Sequence, residues 1–276
     1  MTKAGGYLAA LRQMTEWDDF LRRESGLPGP RGNLELAAVV ARAGTETLFR
    51  RFAAMDAGNA PTNTPGEFLA FCGVLGLGRL VAEGRSEYLT NLRTAASDPR
   101  WRLREAAAMA LQTLGDANMG ALLAVAEDWS RGNWLEQRAA AAGLCEPRLL
   151  REPAEVMHVL AILDRITGNL AASPGARSDG FRTLRQGLAY CWSVAVAALP
   201  EAGKPAMEKW LNYGDRDIQW LMRENLKKTR LVRMDAAWVE DRLAILHSAQ
   251  PLPNADGNSR SRRQANQLAG RTLEGV

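Results

Sequence analysis

The chain has 276 residues, of which 46% are hydrophobic and 24% charged, a balance that supports a packed core and excludes an extensively disordered polypeptide. Its formal net charge of +4 permits an anionic partner without requiring one. No apolar run reaches the ~20 residues of a membrane-spanning helix. The stretch from Met1 to Leu11 lacks the apolar segment and cleavage-like site of a secretory signal, so the expected compartment is the cytoplasm, with no membrane partner.

Apolar spacing predicts helices from about Leu8 to Arg23 and from Leu34 to Met55, and these set the expected boundary of an amino-terminal helical cap, residues 1–55. Turn-forming residues mark loops at Gly26–Gly32, Asp56–Gly66 and Ala172–Gly180. Gly73, Gly76 and Gly78 fall inside a helical apolar pattern without the strand–turn–helix setting of a nucleotide loop, so they are expected to allow close helix packing.

From Tyr88 to Leu114 the sequence reads as a helix hairpin. Leu89, Leu92 and Ala96 recur at helical spacing, Ser97-Asp98-Pro99 breaks the pattern, and Leu103, Ala106, Ala107, Ala110 and Leu111 resume it. Pro99 is expected in the first turn of the second helix, with Ser97 or Asp98 capping its free amides. Trp134 follows Trp101 by 33 positions and opens a similar segment through Arg138 and Leu144. Asp217-Ile-Gln-Trp220 repeats the Asp98-to-Trp101 interval and is followed by Arg223-Glu224, while Ala189–Leu199 is a more apolar copy.

Asp98, Pro99, Leu103, Arg104, Glu105, Ala106, Ala107 and Leu111 resemble the HEAT-repeat pattern of a turn aspartate and proline followed by an aliphatic residue, arginine, glutamate and alanines. The resemblance implies an all-α chain, an α-solenoid of irregular HEAT-like helix pairs behind the helical cap, in a single domain over residues 1–249. Residues 250–276 read as a basic tail with a short helix near Arg262 to Leu268; from Ser248 onward four arginines face Asp256 and Glu274, a net charge of +2.

In such a solenoid the inner helices line a concave groove. A helical projection places Trp101, Arg104 and Glu105 off the core face of Leu103, Ala106, Ala107 and Ala110. For the later segment it opposes Arg216, Trp220, Arg223, Lys227 and Arg230 to Ile218, Leu221, Met222 and Asn225. Cations neutralise phosphates and an indole stacks on a base, yet the same stripe also serves as a solvated face with one packed tryptophan. Candidate binding residues are therefore Trp101, Arg104, Trp134, Arg138, Arg216, Trp220, Arg223, Lys227 and Arg230.

Trp101 with Glu105, and Trp220 with Glu224, place an aromatic one turn from a carboxylate. This arrangement resembles, at a distance, the HEAT-like alkylpurine DNA glycosylases, with glutamate where that family has aspartate. The resemblance implies Glu105 and Glu224 as candidate catalytic carboxylates, stabilising the sugar cation while aromatic faces hold a cationic purine.

Other chemistry is sparse. His158 and His247 lie on separate apolar segments, and Cys72, Cys145 and Cys191 are far apart, without zinc spacing, and are expected to be buried thiols. No metal or cofactor is expected. The leading reading is a non-enzymatic helical-repeat scaffold that takes a protein partner in its concave groove; the alternative is a DNA-binding protein, as a base-excision enzyme of the resembling class.

Overall fold

A computed structural model describes residues 2–174 and 176–248, and every regular element among them is helical. The basic tail and the short helix expected near Arg262 lie outside the described residues.

The expected helix over residues 8–23 is instead two, α1 (Lys3–Arg12) and α2 (Asp18–Glu24). The corner between them is fixed by Trp17, whose indole Nε1 donates to the Leu11 carbonyl at 3.0 Å. The expected helix over residues 34–55 likewise divides into α3 (Leu34–Ala43) and α4 (Glu46–Ala53). Gly44 is extended between them, and a Cβ there would lie 2.6 Å from Phe49 Cε1, so the packed Phe49 ring leaves room only for glycine at the break. Thr45 then caps α4, its hydroxyl accepting the Leu48 N–H.

The long helix α5 (Pro65–Ala82) has a mean hydropathy of 1.3, apolar and long enough by length and composition to cross a membrane, but 83% of it is buried in the described structure. It packs on α2, α3, α4 and the later α7 (Trp101–Ala117). Its glycines make that crowding feasible. A Cβ on Gly73 would meet Ala53 N at 2.3 Å, one on Gly76 the Phe49 ring at 2.1 Å, and one on Gly78 Ala110 Cβ at 2.4 Å.

A 3₁₀ turn at Ser86–Tyr88 leads into α6 (Leu89–Ala96), which forms the expected hairpin with α7. Pro99 lies outside α7, which begins at Trp101 behind an extended Arg100. Asp98 Oδ1 accepts the Arg100 N–H at 2.8 Å. The Arg100 guanidinium, buried, folds back on Asp98 and donates to the Asp56 and Ala60 carbonyls, so the hairpin turn is pinned to the preceding loop.

The chain continues through α8 (Met119–Trp129), α9 (Trp134–Leu144), α10 (Pro153–Ala171) and α11 (Asp179–Ala198). The described residues end in α12 (Pro200–Leu211), α13 (Arg216–Leu226), α14 (Thr229–Met234) and α15 (Ala236–Ser248). Trp101 and Trp134 each open a helix, as their spacing suggests. Ala189–Leu199 opens none; it is the second half of α11. Asp217 is not the counterpart of Asp98, because Asp215 caps α13, accepting the N–H groups of Asp217 and Ile218.

Helices α5, α7, α9, α11, α13 and α15 pack each on the next, and α4, α6, α8, α10, α12 and α14 each pack on the member of that series that follows them. Between α11 and α13 the buried Asn225 receives the Ser193 N–H at 2.8 Å and donates to the Leu188 and Leu221 carbonyls. Trp129, Trp192 and Trp210 are buried, whereas His158 on α10 is exposed. Cys72, Cys145 and Cys191 are buried free thiols; burial pushes the Cys72 thiol up, and burial with the adjacent Cys191 does the same to Cys145.

Candidate functional site

Two recesses open at the amino-terminal ends of the odd-numbered helices, and the candidate residues divide unevenly between them. The first, of ≈ 270 Å³, lies between the start of α3, α5 and α7, and is walled by Leu34, Phe68, Phe71, Trp101 and Met109 with Glu105, Arg31 and Arg102 at its polar edge. Trp101 is 49% exposed there. Glu105 enters the same recess but is held from outside it: Arg138 Nη2 donates to Glu105 Oε2 at 2.6 Å and Arg138 Nη1 to the Arg104 carbonyl at 3.3 Å. The carboxylate thus bridges α7 to α9.

Arg104 turns back and donates to the carbonyls of Asp98 at 2.7 Å and Pro99 at 2.9 Å, with no carboxylate partner among the described residues. Burial, followed by repulsion from Arg138, lowers its pKa below that of a free arginine, with Asp98 acting in the opposite sense. Trp134 is not an open platform. Its ring meets Phe181 of α11 edge-on, with centroids 5.7 Å apart, so it packs α9 against α11.

The second recess, of ≈ 470 Å³, lies at the start of α11 and α13 and is lined by Arg177, Phe181, Arg182, Arg185, Asp215, Arg216, Asp217 and Trp220. Only Arg216 and Trp220 among these were candidates. The expected stripe from Arg216 to Arg230 does not run along one helix, because α13 stops at Leu226 and Lys228 is extended (φ −74°, ψ 128°). Arg223 instead packs on α15, donating to the Leu246 carbonyl at 3.4 Å. Lys227 pairs with Glu224 at 2.6 Å. Arg230 belongs to α14 and lies over the Tyr190 ring at 4.7 Å. Glu224 lines neither recess, so the Trp220–Glu224 pair does not reproduce the Trp101–Glu105 arrangement.

The arginines that sequence reasoning missed come from the segment Arg177–Arg185. Arg185 lies over the Trp220 ring at 4.2 Å and is bonded to Asp217, which also faces Arg177 at 3.7 Å. Asp215 is committed to the α13 amides at 2.9 and 3.1 Å. Both recess carboxylates are therefore engaged, while among the described residues Arg216 has no side-chain partner and Arg182 donates to the Arg177 carbonyl and has as its carboxylate partner only the fully exposed Asp179 at 3.5 Å. Such an exposed pair contributes little. Arg182 also borders a shallower depression shared with Asp98, Pro99, Arg104 and Leu135, so a string of arginine side chains follows the amino-terminal ends of α7, α11 and α13.

Among the described residues no group of three or more His, Cys, Asp or Glu is arranged to hold a metal ion. Comparison with protein-family models and with curated proteins gives no match.

Proposed function

We propose that the protein is a non-enzymatic, HEAT-like helical-repeat module, with residues 1–55 as its amino-terminal cap, and that its inner helices hold a nucleic acid. Two features support the architecture: the odd-numbered helices from α5 onward pack in sequence order, and each has a preceding partner helix outside that series. The observation that carries the function is the run of Arg104, Arg182 and Arg216 without strong carboxylate partners, beside the aromatic Trp220. Guanidinium forks match phosphate oxygens, and aromatic faces accept bases without sequence preference.

The test is fluorescence anisotropy of a labelled duplex and a labelled single strand of about 20 nucleotides between about 50 and 200 mM salt. Binding is expected to weaken with a log–log slope near −3, as neutralisation of roughly three to four phosphates requires. Absence of binding at the low-salt end, or affinity indifferent to salt, would overturn the nucleic-acid reading and leave a protein as the partner in the groove.

One observation favours a second reading, base excision. Trp101 and Glu105 share one apolar recess and Arg138 fixes the carboxylate. An aromatic face and an anion so placed suit a cationic purine and the sugar cation left when it departs. Adding alkylated duplex to the same samples decides it: purine release that vanishes in Glu105→Gln supports this reading, and no release from the unaltered protein removes it.

A further inference from the structure

We infer that the recess between α11 and α13 is a subsite for one unpaired nucleotide, its phosphate at Arg182 and Arg216 and its base on the Arg185–Trp220 platform. This rests on the nucleic-acid reading above and narrows it to a single-stranded ligand at a stated place.

Charge and commitment of partners lead to the phosphate. Arg177, Arg182, Arg185 and Arg216 face Asp215 and Asp217 in this recess. Asp215 is used by the α13 amides and Asp217 by Arg185, with Arg177 nearby. An arriving anion therefore meets an unpaired Arg216, and an Arg182 whose exposed contact with Asp179 and bond to the Arg177 carbonyl are not a strong ion pair to break. Arginine's planar set of donors suits phosphate oxygens two at a time.

The aromatic part of the recess, one turn further along the same two helices, leads to the base. Trp220 is half-buried against the core and carries the Arg185 guanidinium at 4.2 Å. Arg185 Nε is buried with no hydrogen-bond partner, so its guanidinium is held by the Asp217 carboxylate and the indole rather than by a full set of bonds. A guanidinium fixed over an indole offers a flat, cationic surface of the kind on which bases stack. The recess, at ≈ 470 Å³, falls in the size range of small-ligand sites. A base within a duplex is already stacked on both faces and presents only its edges, whereas an unpaired base is free to enter. A phosphoserine or phosphothreonine side chain would satisfy the arginines yet leave the aromatic wall without a role, and a phosphotyrosine is the rival the experiment includes.

The experiment uses the full chain with a labelled oligothymidylate of about 12 nucleotides and a labelled hairpin duplex. The variants are Arg182→Glu, Arg216→Glu and Trp220→Phe. Both arginines are exposed and Arg216 has no partner to lose, so the thermal midpoint of Arg216→Glu should match that of the unaltered protein. Each charge reversal is expected to weaken oligothymidylate binding about tenfold, with a threefold or smaller effect on the duplex. Oligothymidylate should quench part of the intrinsic tryptophan emission, and Trp220→Phe should abolish that part.

Equal weakening of both nucleic acids, or unchanged quenching in Trp220→Phe, would overturn the subsite while the broader nucleic-acid reading stands. If the unaltered protein binds neither oligonucleotide, both readings fall together. Saturable binding of a phosphotyrosine peptide that Arg216→Glu abolishes, without oligothymidylate binding, would reassign the recess to a phosphopeptide.

Discussion

Replacing Arg102 by alanine is expected to lower stability by about 3–5 kcal/mol, read as a shift in the urea midpoint at unchanged slope. Glu67 sits in the first turn of α5 with its side chain fully buried, and Arg102 Nη1 is bonded to its Oε2 at 3.0 Å. The same oxygen accepts the Asn63 N–H at 2.8 Å, while Oε1 is buried without a partner. Removing the guanidinium would leave a carboxylate with one amide to compensate it, and would also release the Gly29 carbonyl that Arg102 Nη2 holds at 2.9 Å. Asp116→Ala, which breaks the exposed pair with Arg148, should cost less than about 1 kcal/mol. The double change Glu67→Gln with Arg102→Met should recover much of the loss, because it removes both charges together. A cost below about 1 kcal/mol for Arg102→Ala would show that the pair is not sealed from water and would defeat the argument.

Gly73→Ala should destabilise by about 1–3 kcal/mol, opposite in sign to what helix propensity alone predicts. The new Cβ would lie 2.3 Å from Ala53 N and 2.7 Å from Phe52 Cβ, and the first of these is backbone at the end of α4 that no side-chain rotation relieves. Gly6→Ala in α1 is the matched control. No heavy atom lies within 4 Å of its Cβ position, so the intrinsic preference should prevail, with a gain of up to about 1 kcal/mol. Similar urea midpoints for Gly73→Ala and the unaltered protein would mean that α4 and α5 separate without penalty, contrary to the close approach described here.

What could be read from the sequence was what depends on neighbours in the chain. The hairpin of α6 and α7 was legible because its apolar spacing and its turn lie within one short segment, and the half-exposed Trp101 followed from the angle it makes with Leu103 and Ala107. The glycine run in α5 was legible for a similar reason: repeated loss of side chains on an apolar helix has few uses besides close packing. The break at Gly44 was missed although the glycine and the capping Thr45 mark it, because apolar spacing alone runs through it. The end of α13 at Leu226 was hidden too, because no glycine or proline marks it and apolar spacing continues to Leu231 on a different helix.

The candidate site divides along the same line. Trp101 and Glu105 are one turn apart and were visible, but the arginine that fixes Glu105 stands on α9. Trp220 and Arg216 were visible, while Arg182 and Arg185 lay beyond a loop and gained meaning only when folding brought Arg185 to Asp217 and to the indole. The repeat interval of about 33 brings such residues into register, but which side chains meet across neighbouring helices is set by the fold rather than by spacing along one helix.

The order in which the helices rest on one another also bears on where the molecule yields first. Helix α5 is enclosed by α2, α3, α4, α6 and α7, whereas α15 rests chiefly on α13 and α14. The carboxy-terminal helices can therefore fray as a separate cooperative unit while the glycine-packed centre stays closed. Because Arg223 of α13 reaches the backbone of α15, that fraying loosens the helix that carries Trp220 and Arg216. The recess between α11 and α13 thus borders a lightly held end of the described residues, where widening to admit a ligand need not disturb the glycine-packed centre.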